Sequence, residues 1–178
     1  MNNIRQQIRS GQCGIYNLAN IMRDENIIDN YANDEDYLPC GNHEANLILH
    51  HEGYCIRIET IAMGINWSME IPASFAIRQM IYLAEECERN APGCVVPFIL
   101  QVQTCSDEFG LHAISVICMR DAWAMSDPRD KTFIRIKSPN DIYDHYKYIN
   151  GISVLQDKSN GKILSLRKEW FDDISILE

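Results

Sequence analysis

The stretch CVVPFILQVQ, residues 94–103, decides how this chain folds on paper. It is a continuous apolar run rich in β-branched residues, shorter than an ordinary helix and preceded by the breaker Pro92-Gly93. Runs of that kind are strands buried on both faces. Downstream the same texture recurs in GLHAISVICM (110–119), DAWAMS (121–126) and KTFIRIKS (131–138), with a turn-like MRD between the first two. ISVLQ (152–156) and KILSLR (162–167) flank DKSNG, whose Asn160-Gly161 pair is a hairpin signal.

Upstream the period changes. IPASFAIRQMIYLAEECERNAPG (71–93) has helical apolar spacing, Pro72 near its start, Ser74 as a candidate cap and a stop at Pro92-Gly93. HEANLILHHEG (43–53) reads as a short helix closed by Gly53, and CGIYNLANIMRDEN (13–26) as a buried one. Between them DNYANDEDYLPCGN (29–42) is a polar loop, and YCIRIETIAM (54–63) is a weak strand. Helices come first and strands second, which predicts an α+β fold with N-terminal helices packed on a C-terminal antiparallel sheet. The whole chain, 1–178, is expected to be one domain, helical to about residue 93 and sheet from about residue 94.

Composition narrows the function classes. The chain has 46% apolar and 23% charged residues and a formal net charge of −9. A surface that acidic repels phosphate backbones, so nucleic acid is not an expected partner. No apolar run approaches the ~20 residues of a membrane span. The stretch MNNIRQQIRSGQ has no apolar core of the secretory kind, and the seven cysteines contain no CxxC pair. The expected setting is the cytoplasm, with reduced thiols and no cofactor or metal. His50, His51, Glu52 and Cys55 fit no tetrahedral zinc spacing, because neighbours on a helix point ~100° apart. Cys87, Cys94, Cys105 and Cys118 fall on apolar positions and are expected in the core.

One cysteine stands apart. Cys13 lies where the first helix begins, so unpaired backbone N–H groups and the positive end of the helix dipole face its sulfur. That setting favours the thiolate, the nucleophilic form. Gly11 and Gly14 are expected to leave the sulfur open to a substrate. Gln7, six residues earlier, can offer its amide to a developing oxyanion beside the Cys13 N–H; Gln6 and Gln12 are alternative donors. Of the five histidines, His112 alone opens a buried strand, where an imidazole needs a partner. Asp127, at the end of the next strand and before Pro128, would lie beside it in an antiparallel pair and orient its ring toward Cys13. Each residue also has a plain reading: Cys13 as a small buried residue, His112 as a core histidine bonded to a carbonyl, Asp127 as a turn residue. Trp123 is expected to be a core residue that shields the histidine, and DIYDHYKYI (141–149) is either a half-buried helix or a partner surface.

Gln7, Cys13-Gly14 at a helix start, GLHAISV and SDP, in that order, resemble papain-like cysteine peptidases. The likeness is nearest to the compact bacterial branch related to double-glycine leader peptidases, and it spans residues 7–128. It implies a cysteine helix packed on a small antiparallel sheet that carries the histidine and then the aspartate. It also implies a peptide or protein substrate, cleaved at a peptide or isopeptide bond through a thioester. The stretch NYANDEDYLPCGNHE has no counterpart in that pattern. HAISVICMRDAWAMSDP also resembles the His, Trp and Asp-Pro portion of transglutaminases, which implies glutamine deamidation or acyl transfer on the same three residues. A binding module that keeps the fold without turnover is the non-enzymatic alternative.

Overall fold

A computed structural model describes residues 5–64, 69–104, 112–119, 122–130, 133–171 and 176–177. Gly110 and Cys105 lie outside the described residues, as do Arg120 and Asp121 between the strands. Among the described residues, four α-helices occupy Cys13–Met22 (α1), Glu25–Tyr31 (α2), Asn42–His51 (α3) and Ala73–Asn90 (α4). The strands are Ile56–Met63 (β1), Cys94–Val95 (β2), Pro97–Thr104 (β3), His112–Met119 (β4) and Ala122–Ser126 (β5). Phe133–Ile136 (β6), Tyr146–Asp157 (β7), Leu166–Arg167 (β8) and Ile176–Leu177 (β9) follow. Among the described residues the main sheet runs β1-β7-β3-β4-β5-β6-β9, antiparallel except for the last pair. The molecule is thus α+β, helices before sheet. No helix among the described residues is long and apolar enough to cross a membrane.

The sheet has two covered faces. On one, α4 buries Ala76, Met80 and Ala84, spaced four apart as a helix stripe requires. Ala76 and Met80 pack with Phe98, Leu100, Ile114, Val116, Ile152 and Val154 from the central strands. On the other, Ile15, Leu18, Ile21, Ile48 and Leu49 of α1 and α3 meet Ile58, Ile99 and Leu155. The strands contribute to both because their side chains alternate.

Several local expectations are corrected. CVVPFILQVQ is two strands: Val96 separates β2, which joins Leu166–Arg167 in a small second sheet, from β3 in the main one. The expected 152–167 hairpin is only a turn. Gly161 adopts φ +70 and one bridge joins Gln156 to Ile163, but β8 then leaves for β2. The stretch 29–42 is not all loop, since α2 runs to Tyr31 and a 3-10 turn spans Glu35–Tyr37. Ser74 is inside α4, whose N-cap position is held by Pro72 without a side-chain bond. Trp123 pairs with Cys118 at the far end of β4 from His112. It stacks on Phe98 with ring centroids 6.4 Å apart, so it shields the core and not the histidine. DIYDHYKYI divides into a 3-10 turn, Pro139–Asp144, and the start of β7.

Candidate active site

The sheet register explains how three residues distant in sequence meet. β4 pairs with β3 from His112 to Ile117, but with β5 only from Ser115, opposite Ser126. Beyond Ser126 the chain turns at Asp127-Pro128, so the first residues of β4 lose their β5 neighbour. Helix α1 takes that place. The Ala113 N–H donates to the Cys13 sulfur, and the Ala113 carbonyl accepts from Asn17 Nδ2. Cys13 and Asn17 are four residues apart, one helical turn, and therefore share a face. The Ser115 hydroxyl donates to Asn17 Oδ1 at 2.7 Å, and both residues are buried. This polar clamp fixes α1 along its axis against the strand that carries His112.

The His112 and Asp127 side chains are 11% and 8% exposed, with Nε2 2.7 Å from Oδ1. Asp127 collects four further donor contacts. The Arg129 backbone N–H (2.9 Å) and Nε (3.2 Å) reach Oδ1, and Arg129 Nη2 (2.9 Å) and the Tyr146 hydroxyl (2.5 Å) reach Oδ2. Burial alone would raise its pKa, but the bonds from His112 and Arg129 outweigh burial and hold the carboxyl well below the usual carboxylate range. An ionised carboxylate only accepts, so His112 Nε2 carries a proton. That leaves Nδ1 for the sulfur, which is hydrogen-bonded to the ring.

Burial pushes the Cys13 thiol up, yet the bond from His112 and the N–H groups of Ala113 and Gly14 bring it below its ordinary value. Burial likewise lowers His112, but Asp127 first and Cys13 second raise it above its ordinary value. The two shifts have opposite signs and one cause: a sulfur anion beside an imidazolium stabilises both charges. Cys40 makes the contrast. It lies behind the helix start, and burial with the Glu44 and Cys13 charges pushes its thiol up to about 12. Two neighbouring cysteines thus differ because one has a cationic partner and the other does not.

Gly14 has a different role from the one expected. A Cβ placed there would stand 2.1 Å from the Cys40 carbonyl oxygen, so its missing side chain admits the 38–41 backbone against α1. Gly11 adopts φ +86 with nothing near its Cβ position, and so serves the turn into the helix.

The three candidate glutamines separate clearly. Gln12 is buried; its Oε1 accepts from the Ile8 and Arg9 N–H groups, and its Nε2 donates to the Ala32 carbonyl at 2.6 Å. It organises the preceding loop from a buried position. Gln6 Nε2 donates to the Arg129 carbonyl at 2.5 Å on the exposed side. The Gln7 backbone N–H bonds the Pro128 carbonyl at 2.7 Å, which brings this residue to the aspartate turn. One of its amide protons goes to the Arg9 carbonyl at 3.1 Å, and its Oε1 is buried without a partner. Among the described residues, one amide proton of Gln7 has no partner.

The structure brings Cys13, His112 and Asp127 into one hydrogen-bonded line and sets Gln7 against the Asp127 turn. Sequence reading missed Asn17, Ser115, Arg129 and Tyr146. Asn17 carried a signal, since it is polar within a buried helix; Arg129 carried another, since it sits two residues past an aspartate, where Asx turns form. Tyr146 carried none, because the fold brings it from a strand whose partner is not local. No protein family, no curated protein and no solved structure matches this chain.

Proposed function

We propose that the chain is a papain-like thiol hydrolase acting on the carbonyl of a peptide or protein amide. The observation that carries this reading is the line from the Cys13 sulfur through the His112 ring to the Asp127 carboxylate. The Cys13 thiolate adds to the amide carbonyl, and the imidazolium protonates the leaving nitrogen as the C–N bond breaks. Asp127 holds the ring in the tautomer and orientation that both steps need. The second amide proton of Gln7 and the Cys13 N–H serve the oxyanion. Water, deprotonated by the now neutral His112, then attacks the thioester; the C–S bond breaks, the acyl group leaves as a carboxylic acid, and the thiolate–imidazolium pair is restored.

Iodoacetamide labelling at neutral pH, read by peptide mass spectrometry, tests the nucleophile. Cys13 should react at least ~10-fold faster than the exposed Cys55 in the same molecule. Equal rates would remove the nucleophile from the account. A proteome-derived peptide mixture then tests turnover: Cys13→Ala should abolish product by ~10⁴-fold or more with an unchanged Tm. Shortened fragments report hydrolysis, whereas a full-length target with glutamate in place of glutamine reports deamidation and overturns the peptidase assignment.

A further inference from the structure

Outside the three reacting groups, the most heavily engaged side chains of the site are those of Arg129 and Tyr146, which meet Asp127 on both carboxylate oxygens. Oδ1 and Oδ2 together receive three contacts from Arg129 and one from Tyr146, besides the one from His112. An ionised carboxylate has about four lone-pair sites, so this one is saturated. Carrying a histidine needs one acceptor site. The remaining donors do not touch the ring, and the guanidinium brings a full positive charge within two residues of the aspartate.

We propose that Arg129 and Tyr146 are positioning residues that moderate the pull of Asp127 on His112, so that the ring releases its proton near neutral pH. The proposal rests on His112 as the proton-transferring group of the hydrolase reading. An unshielded buried carboxylate would hold an imidazolium too tightly for it to give its proton to a leaving amine and then act as a base toward water. Each donor shared with the carboxylate weakens its hold on the His112 N–H, and the Arg129 charge opposes the imidazolium directly. Among the described residues, the titratable groups facing the ring and its partners are the following. Cys13 faces His112 from α1, and Asp127 faces it from the end of β5. Arg129 and Tyr146 face Asp127. Cys40, with Glu44 near it, faces Cys13 from the 38–41 loop. Tyr146 stays a neutral donor, since burial and the adjacent Asp127 charge raise its hydroxyl far above the ordinary phenol range.

The sign is fixed by charge. Loss of the Arg129 cation stabilises the imidazolium and frees Asp127 to accept more strongly, so both effects raise the His112 titration midpoint. The measurement is the His112 ring carbon resonance by NMR, followed against pH in the full chain carrying Cys13→Ala, which removes the coupled thiol. Adding Arg129→Met should raise the midpoint by about one pH unit. Arg129→Lys, which keeps the charge but not the fork, should bring the midpoint most of the way back to that of Cys13→Ala alone. Tyr146→Phe, which removes only a hydroxyl, should move the midpoint upward by less than Arg129→Met. A midpoint unmoved by Arg129→Met overturns the proposal, as does an equal shift in Arg129→Lys. Should Arg129→Met fail to fold, an unmoved midpoint in Tyr146→Phe overturns it. Cys13 is absent from these samples, so failure here leaves the nucleophile reading intact, and failure of the labelling experiment leaves this one standing as a property of the His112–Asp127 pair.

Discussion

The two faces of the sheet are held by different physics. The α4 face is mainly apolar contact: Met80 and Ala76 against Phe98, Leu100 and Ile152. The α1 and α3 face has an apolar core of similar kind but adds side-chain amides bonded to the strands. Asn17 joins Ala113 and Ser115, Asn42 joins Thr60 and Ser153 at 3.0 Å each, and Asn46 exchanges two bonds with the Ile58 backbone. Hydrophobic burial is non-directional and tolerates a small slide. A hydrogen bond weakens steeply with angle and distance, so it fixes register. Among the described residues, the face that carries Cys13 is the one where side-chain amides bond the strands, and the difference teaches that position there matters more than stability.

The largest expected effect lies on the apolar face and breaks the comparison if it reaches the site. Met80 is fully buried on α4, so Met80→Ala should cost ~2–5 kcal/mol of folding stability through lost burial and a cavity. Urea unfolding measures that loss. The Cys13 labelling rate should not change under native conditions. A rate that falls with Met80→Ala would mean that the two faces are mechanically one.

Asn17→Ala sharpens the contrast from the other side. It orphans the Ser115 hydroxyl and the Ala113 carbonyl, at a cost of ~1–3 kcal/mol. That is less than Met80→Ala costs, yet here the labelling rate of Cys13 should fall by about tenfold, because α1 loses its register against β4. Urea unfolding and iodoacetamide kinetics on one preparation give both numbers. Unchanged kinetics would show that the apolar contacts of Ile15 and Leu18 alone hold the sulfur in place.

The same contrast explains what was legible beforehand. Helical period and breakers located α1, α3 and α4, because those signals are local. Cys13 could be singled out for the same reason: a helix start acts on its own first residue. His112 and Asp127 could be paired because β4 and β5 are consecutive strands only two residues apart in sequence. Legibility ended where partners come from far along the chain. Nothing near residues 162–167 says that Leu166 pairs with Val95 and not with the adjacent strand, so the Asn160-Gly161 signal marks a turn but not a full hairpin. The local sequence gives Gly14 freedom toward a substrate, whereas its role depends on a carbonyl 26 positions later, at Cys40. Tyr146 reaches Asp127 only because β7 crosses beside β3 in the finished sheet.

The smallest effect separates amide clamps in general from the one beside the nucleophile. Asn42 bonds Thr60 and Ser153 from the first turn of α3 and is part-buried, so Asn42→Ala should cost only about 1 kcal/mol. It lies on the same face as Asn17 but has no bond to α1 or β4. Its loss should leave the Cys13 labelling rate within twofold of wild type, at a stability cost near the lower end of that of Asn17→Ala. If Asn42→Ala slows labelling as much as Asn17→Ala does, register is a property of the whole face, held jointly by three amides. If only Asn17→Ala slows it, the position of the sulfur is set by one residue one helical turn away, and the other clamps serve the fold alone.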